Sequence, residues 1–185
     1  MPYNKEASNV VETLNRTLSN NRIQDKILKI ASLIKTINKE GRITAIFGNG
    51  GSASDAQHFA AELVCTYKDR KRKPYRAIAL TTDTSIITAW SNDFEYESVF
   101  ERQLKAFENN IGLTIGMSTS GKSKNVLKGL QYSNEINSTT CLICGENELN
   151  YENIDFVIKV PSKDTGTIQT VTQVIYHSIC QALEN

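Results

Sequence analysis

Apolar residues recur at helical spacing over residues 6–40, and beyond them they gather into short, continuous runs. The first pattern predicts two amphipathic helices that are separated near Ser19-Asn20-Asn21 and ended by Gly41. The short runs predict buried strands, because a strand that is covered on both faces does not alternate with polar residues. These runs are residues 42–48, 76–80, 112–118, 139–145 and 155–160.

Helical patterns lie between and after these strands, at residues 52–68, 84–108, 122–135 and 165–183. Alternating strands and helices predict an α/β fold, a parallel sheet with helices on both faces. Because no repeat, linker or biased segment interrupts the sequence, we expect one domain over residues 1–185. It consists of an N-terminal helical extension, residues 1–40, and a core, residues 42–183.

Charge and hydropathy exclude several classes of partner. A net charge of +1 gives no electrostatic reason to expect a nucleic acid or an anionic membrane. The one basic cluster, Lys68–Lys73, is interpreted as a solvated turn between a helix and a strand. No apolar run approaches the roughly 20 residues of a membrane-spanning helix, and the N-terminus lacks the apolar segment of a signal peptide. We therefore expect a cytoplasmic protein with reduced cysteines.

Cys141 and Cys144 form a CxxC pattern, which elsewhere binds zinc or carries out redox chemistry. Here the pattern lies in TTCLICG, a short apolar run typical of a buried strand, with no second CxxC and no histidine nearby. We interpret both cysteines as core residues.

Two predicted strand-to-helix turns are rich in glycine and hydroxyl groups. Their sequences are Gly48-Asn49-Gly50-Gly51-Ser52 and Ser118-Thr119-Ser120-Gly121-Lys122-Ser123. Glycine lets the backbone approach a ligand closely, and free N–H groups at a helix N-terminus favour an anion. Neither turn has the nucleotide pattern GxxxxGKS/T or GxGxxG, and Ser52 with Asp55 is also typical of ordinary helix capping. Because both turns follow parallel strands, they predict a site for a phosphorylated ligand.

The two histidines of the chain are predicted on helix faces that lie away from the core. His58 and Glu62 are one turn apart on the first helix of the core, and Gln169, Gln173 and His177 form a row on the last helix. The opposite, apolar stripes are Ala53, Ala56, Phe59, Ala60, Leu63 and Val64, and Ile168, Val171, Val174, Ile175, Ile179 and Ala182. An exposed His–Glu pair that only stabilises its own helix is one interpretation. The combination with two phosphate turns favours a site for acid–base chemistry or a divalent metal.

At these residues the sequence resembles the bacterial phosphoheptose (sedoheptulose 7-phosphate) isomerases of the sugar-isomerase (SIS) domain family. The resemblance spans about residues 42–183 and lies in GNGGSASDAQHFAAEL, ALTTDTSIITAWSNDFEYESVFERQL, STSGKSKNVL and the spacing from Gln169 to His177. It implies a flavodoxin-like parallel sheet. It also implies a homotetramer with active sites at subunit interfaces, a small-molecule sugar phosphate as substrate, and neither nucleic acid nor membrane as partner.

The resemblance also implies three sets of site residues. The acid–base pair is Glu62 and His177. One zinc ion per subunit is bound by His58, Glu62, Gln169 and His177. The substrate contacts Asn49, Gly50, Gly51, Ser52, Glu62, Asn92, Asp93, Ser118, Thr119, Ser120, Ser123 and Gln169, and the serine-rich turn holds its phosphate.

The implied reaction is the aldose–ketose isomerisation of D-sedoheptulose 7-phosphate to D-glycero-D-manno-heptose 7-phosphate through an enediol. In the family this is the first step of nucleotide-activated heptose synthesis for lipopolysaccharide or capsule. Glu62 suits the base that moves a proton between C1 and C2, and His177 suits the acid that shuttles protons between O1 and O2. Zinc would polarise the carbonyl group.

Several points stay open. Gln169 and His177 are eight residues apart, a rise of about 12 Å along a regular helix, which is far for joint ligation of one ion. Spacing alone favours Gln173, and only the family pattern favours Gln169. The chain has Cys65-Thr66 where relatives usually have Gly-Arg, and it has Thr167 where they often have arginine. These departures leave the exact sugar phosphate open.

Two functions without catalysis are alternatives. A subgroup similar to this family binds a replication initiator and replaces the glutamate and the second histidine, so Glu62 and His177 favour an enzyme. Other SIS domains sense phosphosugars within regulators, but this sequence shows no DNA-binding region.

Overall fold

The computed structural model describes residues 2–185, with side chains from residue 4 onward. These residues form five strands: β1 (Ile43–Gly48), β2 (Ala77–Ala79), β3 (Ile111–Ser118), β4 (Thr139–Gly145) and β5 (Phe156–Val160). They also form seven α-helices: α1 (Pro2–Leu18), α2 (Asn21–Lys39), α3 (Gly51–Val64), α4 (Thr84–Asp93), α5 (Val99–Ala106), α6 (Lys124–Glu135) and α7 (Thr165–Leu183). The predicted helical stretch 84–108 is two helices, because a short 3-10 turn at Tyr96–Ser98 separates α4 from α5.

All five strands are parallel and lie in the order β2-β1-β3-β4-β5. This is the flavodoxin-like order, in which the connections change direction between β1 and β3. The predicted fold class is therefore confirmed. Gly48 at the end of β1 pairs with Met117 in β3, so the two glycine-rich turns leave neighbouring strands side by side.

Two hydrophobic clusters cover the faces of the sheet. One is formed with α2, α3 and α7, and the other with α5 and α6. Cys141 belongs to the first cluster and Cys144 to the second, since residues three apart on a strand point to opposite faces. The two sulfur atoms therefore cannot act on one ion or as one redox pair, and their interpretation as core residues is confirmed.

The predicted apolar stripes need correction at their edges. Val64 is 41% exposed because α3 ends there, and Ala53 is only half-buried. On α7 the buried face is wider than predicted and includes Tyr176, Cys180 and Leu183. The reason is that α7 packs against α1, α2 and α3 as well as the sheet. Among the described residues, no helix has the length and apolar character needed to cross a membrane.

Candidate active site

The first glycine-rich turn brings the start of α3 close to the end of the sheet. Gly50 has a φ of 55°, a left-handed conformation that glycine adopts without strain. A Cβ atom at Gly48 would collide with the carbonyl oxygen of Met117 and with Ser52. The helix begins after Gly50 without a side-chain cap, so the capping interpretation of Ser52 and Asp55 is wrong.

Three of the predicted metal and acid–base residues converge between α3 and α7. Ligand atoms of His58, Glu62 and His177 all lie within 4.8 Å of one another. The His58 Nε2 atom is 3.0 Å from the Glu62 Oε1 atom, and the two imidazole rings meet edge to face with centroids 5.1 Å apart. The His–Glu pair is therefore part of a larger cluster of three side chains that could bind a metal ion.

His177 has the properties of a metal ligand. Its Nε2 atom is buried and has no hydrogen-bond partner among the described residues. Burial and the neighbouring His58 lower the pKa of His177, and the opposing effect of Glu62 is smaller. A neutral imidazole with an unpaired ring nitrogen is the form that binds metals. Two imidazoles and one carboxylate at this spacing fit a zinc ion with an open fourth position.

The structure places Gln169 away from this cluster. Its side-chain amide packs on Gly51, and a Cβ atom at Gly51 would collide with it. Gly51 is seven residues before His58, about 10 Å along the helix. Gln173 is half-buried and lies between Gln169 and His177 on α7. The choice between the two glutamines as fourth ligand therefore stays a prediction.

The serine-rich turn after β3 is ordered by its own hydroxyl groups. The hydroxyls of Ser118 and Ser123 are 2.9 Å apart, and the Ser120 hydroxyl accepts the N–H of Lys122 at 3.1 Å. Beside the turn lies an open cleft of about 780 Å³. It is lined by Thr119, Ser120, Lys122 and Lys163 together with the acidic loop 146–149. The cleft offers hydroxyl donors and two lysines at the end of the sheet where ligands of this fold class bind.

A pair of asparagines joins the two turns. Asn49 and Asn125 donate to each other's side-chain oxygens, both at 2.8 Å, and the hydroxyl of Tyr96 donates to the same Asn49 oxygen at 2.7 Å. The second N–H of the Asn49 amide makes no hydrogen bond in the described structure. The sequence analysis missed Asn125 and Tyr96. No local pattern marks them, because their partner is 76 and 47 residues away.

Asn92 and Asp93 lie at the end of α4 and are exposed. The Asn92 amide donates to the Asp93 carboxylate at 2.9 Å. Neither residue lines the cleft at the serine-rich turn. Their contact with a substrate therefore stays a prediction.

Two further polar groups near the histidines were not predicted. One carboxylate oxygen of Asp55 is buried without a hydrogen-bond partner in the described structure, and burial raises the pKa of Asp55 to about 6 although His58 lowers it. The hydroxyl of Tyr176 is 2.9 Å from the Nδ1 atom of His58. The sequence analysis interpreted Asp55 as a capping residue and did not single out Tyr176.

The interpretation of the basic cluster Lys68–Lys73 as a solvated turn is wrong for Arg72, which forms an ion pair with Glu184. The Arg72 Nε atom is 3.1 Å from the Glu184 Oε1 atom, and Arg72 also donates to the backbone carbonyls of Glu62 and Leu63. The ring of Tyr67, from the same loop, stacks on His177 with centroids 5.4 Å apart. Arg72 is therefore buried, while its neighbours in the cluster are exposed as expected.

Comparison with known proteins agrees with this geometry. The family model for the SIS domain matches residues 3–145, which include α1 and α2. The chain is similar to the phosphoheptose isomerase of Aquifex aeolicus, with 43% identity over 86% of this chain and 83% of the relative. It is also similar to that of Helicobacter pylori strain P12, with 46% identity over 82% and 79% of the two chains.

Solved structures show the same fold. A phosphoheptose isomerase from Francisella tularensis superposes with a TM-score of 0.89 at 24% identity, over 98% of this chain and 96% of the other. One from Neisseria gonorrhoeae superposes with a TM-score of 0.81 at 28% identity, over 100% and 99% of the chains.

Proposed function

Because the chain belongs to the SIS-domain family, and within it to the phosphoheptose isomerases, it is an isomerase, and we propose that it interconverts D-sedoheptulose 7-phosphate and D-glycero-D-manno-heptose 7-phosphate. The observation that carries the proposal is the convergence of His58, Glu62 and His177 within 4.8 Å, with His58 and Glu62 on the helix that follows the first glycine-rich turn. The similarity to phosphoheptose isomerases supports a heptose phosphate as substrate.

The phosphate of the substrate binds at the serine-rich turn. Hydroxyls of Ser118, Ser120 and Ser123 and the N-terminus of α6 supply hydrogen-bond donors for it. Lys122 and Lys163 line the adjoining cleft and contribute positive charge.

Glu62 and His177 act as the acid–base pair. Glu62 has two carboxylate oxygens, so one can bind a cation while the other takes the proton that moves between C1 and C2. The lowered pKa of His177 keeps its imidazole neutral near pH 7. A neutral imidazole can donate a hydrogen bond to the developing oxyanion and pass protons between O1 and O2.

The metal ligands in this proposal are His58, Glu62 and His177, with Gln169 or Gln173 as the fourth. A zinc ion held by these side chains would polarise the substrate carbonyl and stabilise negative charge on its oxygen. The His58 Nε2 atom already faces Glu62, so both groups are directed at the same point. The unpaired Nε2 atom of His177 supports the metal site, because a buried polar atom without a partner is costly.

Assembly and pathway follow the family in this proposal. Val11 on α1 and Leu28 on α2 are 57% and 59% exposed, which supports contacts between subunits in a homotetramer. Asn92 and Asp93, exposed on α4, would reach the substrate in that assembly. The product would enter nucleotide-activated heptose for lipopolysaccharide or capsule in the cytoplasm.

The test is turnover of D-sedoheptulose 7-phosphate by the purified protein, with and without a chelator and added zinc, beside the variants Glu62→Gln and Glu135→Gln. Glu135 is an exposed glutamate on α6, and its variant is the matched control. We expect Glu62→Gln to lose about 10²–10⁴-fold in kcat, the usual contribution of a general base. Glu135→Gln should match the wild type.

Each result decides one part of the proposal. Loss of activity on chelation and recovery with zinc support the metal site, whereas activity that survives complete removal of metal contradicts it. Conversion of another ketose phosphate in place of this heptulose contradicts the substrate assignment alone. Binding of sugar phosphates without any turnover contradicts the isomerase mechanism and favours the binding protein.

A further inference from the structure

Among the described residues, Tyr176 is the aromatic residue that contacts both histidines of the site and also hydrogen-bonds to one of them. Its side chain is fully buried, and its ring stacks on Phe59 with centroids 5.3 Å apart. The ring meets the edges of His58 and His177, with centroids 5.5 and 4.8 Å away. The hydroxyl is 2.9 Å from the His58 Nδ1 atom, and this is its one hydrogen bond within the described structure.

The two ring nitrogens of His58 therefore have different partners. The Nε2 atom faces Glu62 at 3.0 Å, and the Nδ1 atom faces Tyr176. The side chain of His58 is 42% exposed, so packing alone does not hold the ring in one orientation. Two hydrogen bonds on opposite sides of the ring fix its rotation and direct Nε2 toward Glu62 and His177.

A hydroxyl is well suited to this position because it both donates and accepts. When Nε2 carries the proton and donates to Glu62, Nδ1 is an acceptor and the Tyr176 hydroxyl donates to it. When Nε2 binds a cation, the proton resides on Nδ1, and the Tyr176 oxygen accepts it. The same contact thus serves the free and the metal-bound form of His58.

We propose that Tyr176 is the positioning residue of His58: its hydroxyl holds the imidazole with Nε2 directed at the divalent-cation site, and it accepts the Nδ1 proton when Nε2 binds the cation. This inference rests on the metal site of the proposed function. It does not depend on which sugar phosphate the enzyme converts.

The first test is the zinc affinity of Tyr176→Phe, measured by competition with a chromophoric chelator and without substrate. The substitution keeps the ring and its stacking on Phe59 and removes only the oxygen. Loss of a group that orients a metal-binding histidine typically weakens affinity about 10–100-fold, and we expect that loss here. The matched control is Tyr67→Phe, because the Tyr67 ring stacks on His177 while its hydroxyl makes no hydrogen bond in the described residues. The control should bind zinc within about twofold of the wild type.

The second test observes the imidazole directly. In a His177→Gln background His58 is the one histidine left, so its ring nitrogens can be assigned in long-range proton–nitrogen spectra of the metal-free protein. With Tyr176 present we expect a single tautomer protonated at Nε2, and with Tyr176→Phe a mixture of tautomers. Thermal unfolding and circular dichroism establish that each variant is folded.

Unchanged zinc affinity in folded Tyr176→Phe would overturn the inference, as would an equal loss in Tyr67→Phe or identical histidine spectra with and without the hydroxyl. A wild-type protein that binds no zinc would overturn the metal site and this inference together. The isomerase proposal is decided separately, by turnover.

Discussion

Substitution of Glu184 by glutamine tests whether the ion pair between Glu184 and Arg72 stabilises the fold. The side chain of Glu184 is only 4% exposed and that of Arg72 only 10%. The carboxylate also accepts the backbone N–H groups of Tyr67, Lys68 and Asp69. Glutamine has nearly the same shape but no charge, so the variant leaves the guanidinium of Arg72 buried without its counter-ion.

We expect a large decrease in the free energy of unfolding. Removing one partner of a buried ion pair costs about 3–5 kcal/mol. The amide oxygen of glutamine can still accept some of the backbone N–H groups, so we expect about 3 kcal/mol, the lower end of that range. In a domain of this size each kcal/mol shifts Tm by about 2–4 °C, so Tm should fall by roughly 6–12 °C.

The effect should depend on pH. Burial raises the pKa of Glu184, but the N–H groups of Asp69 and Lys68 and the guanidinium of Arg72 outweigh it, and the net pKa is lowered. A carboxyl group with a lowered pKa stabilises the fold above its ordinary pKa and loses that contribution as the pH falls through the folded value. The difference in Tm between wild type and Glu184→Gln should therefore be constant near neutrality and shrink below about pH 4.

The assay is urea and thermal unfolding of Glu184→Gln, Arg72→Met and the double variant. Because the two side chains interact, the cost of the double variant should be clearly smaller than the sum of the single costs. The control is Glu101→Gln, which removes the exposed Lys105–Glu101 pair and should cost only about 0.3–0.5 kcal/mol. A Glu184→Gln variant as stable as this control, or strictly additive costs in the double variant, would refute the reasoning.

Two further substitutions test how the glycine-rich turns are held. In Asn125→Ala the Asn49 amide loses its reciprocal partner. We expect a loss of about 1–3 kcal/mol in stability and a raised KM in steady-state kinetics. The control Gln131→Ala should change neither, because Gln131 is exposed on α6 and its side chain bonds only to Glu135 of the same helix in the described structure. In Gly51→Ala the new methyl group displaces the flexible side chain of Gln169. We expect Tm to change little and kcat/KM to fall. Unchanged kinetics would mean that Gln169 is not needed at its present position.

Local patterns predicted most of the secondary structure and part of the site. Five short apolar runs became five parallel strands, because a buried strand is recognisable from its own composition. The i,i+4 spacing placed His58 and Glu62 on one face of α3, since that relation depends only on helix geometry. The same local rules were wrong for the cap of α3, where Gly50 precedes the helix in a left-handed conformation, and for Val64, which is exposed at the end of α3. They were also wrong for Arg72, because its ion-pair partner Glu184 comes from a distant segment.

The amino-acid sequence was enough to predict the alternation of strands and helices, the two glycine-rich turns and the shared face of His58 and Glu62 on α3. Which side chains from distant segments meet depends on the tertiary structure. The hydroxyl of Tyr176 reaches His58 across 118 residues, Asn125 reaches Asn49 across 76, and Arg72 pairs with Glu184 across 112. The physical reason is that such contacts depend on the packing of α7 against α3 and the pairing of β1 with β3. Periodicity within one helix or strand specifies which face is buried, but it carries no information about the partner on the other side.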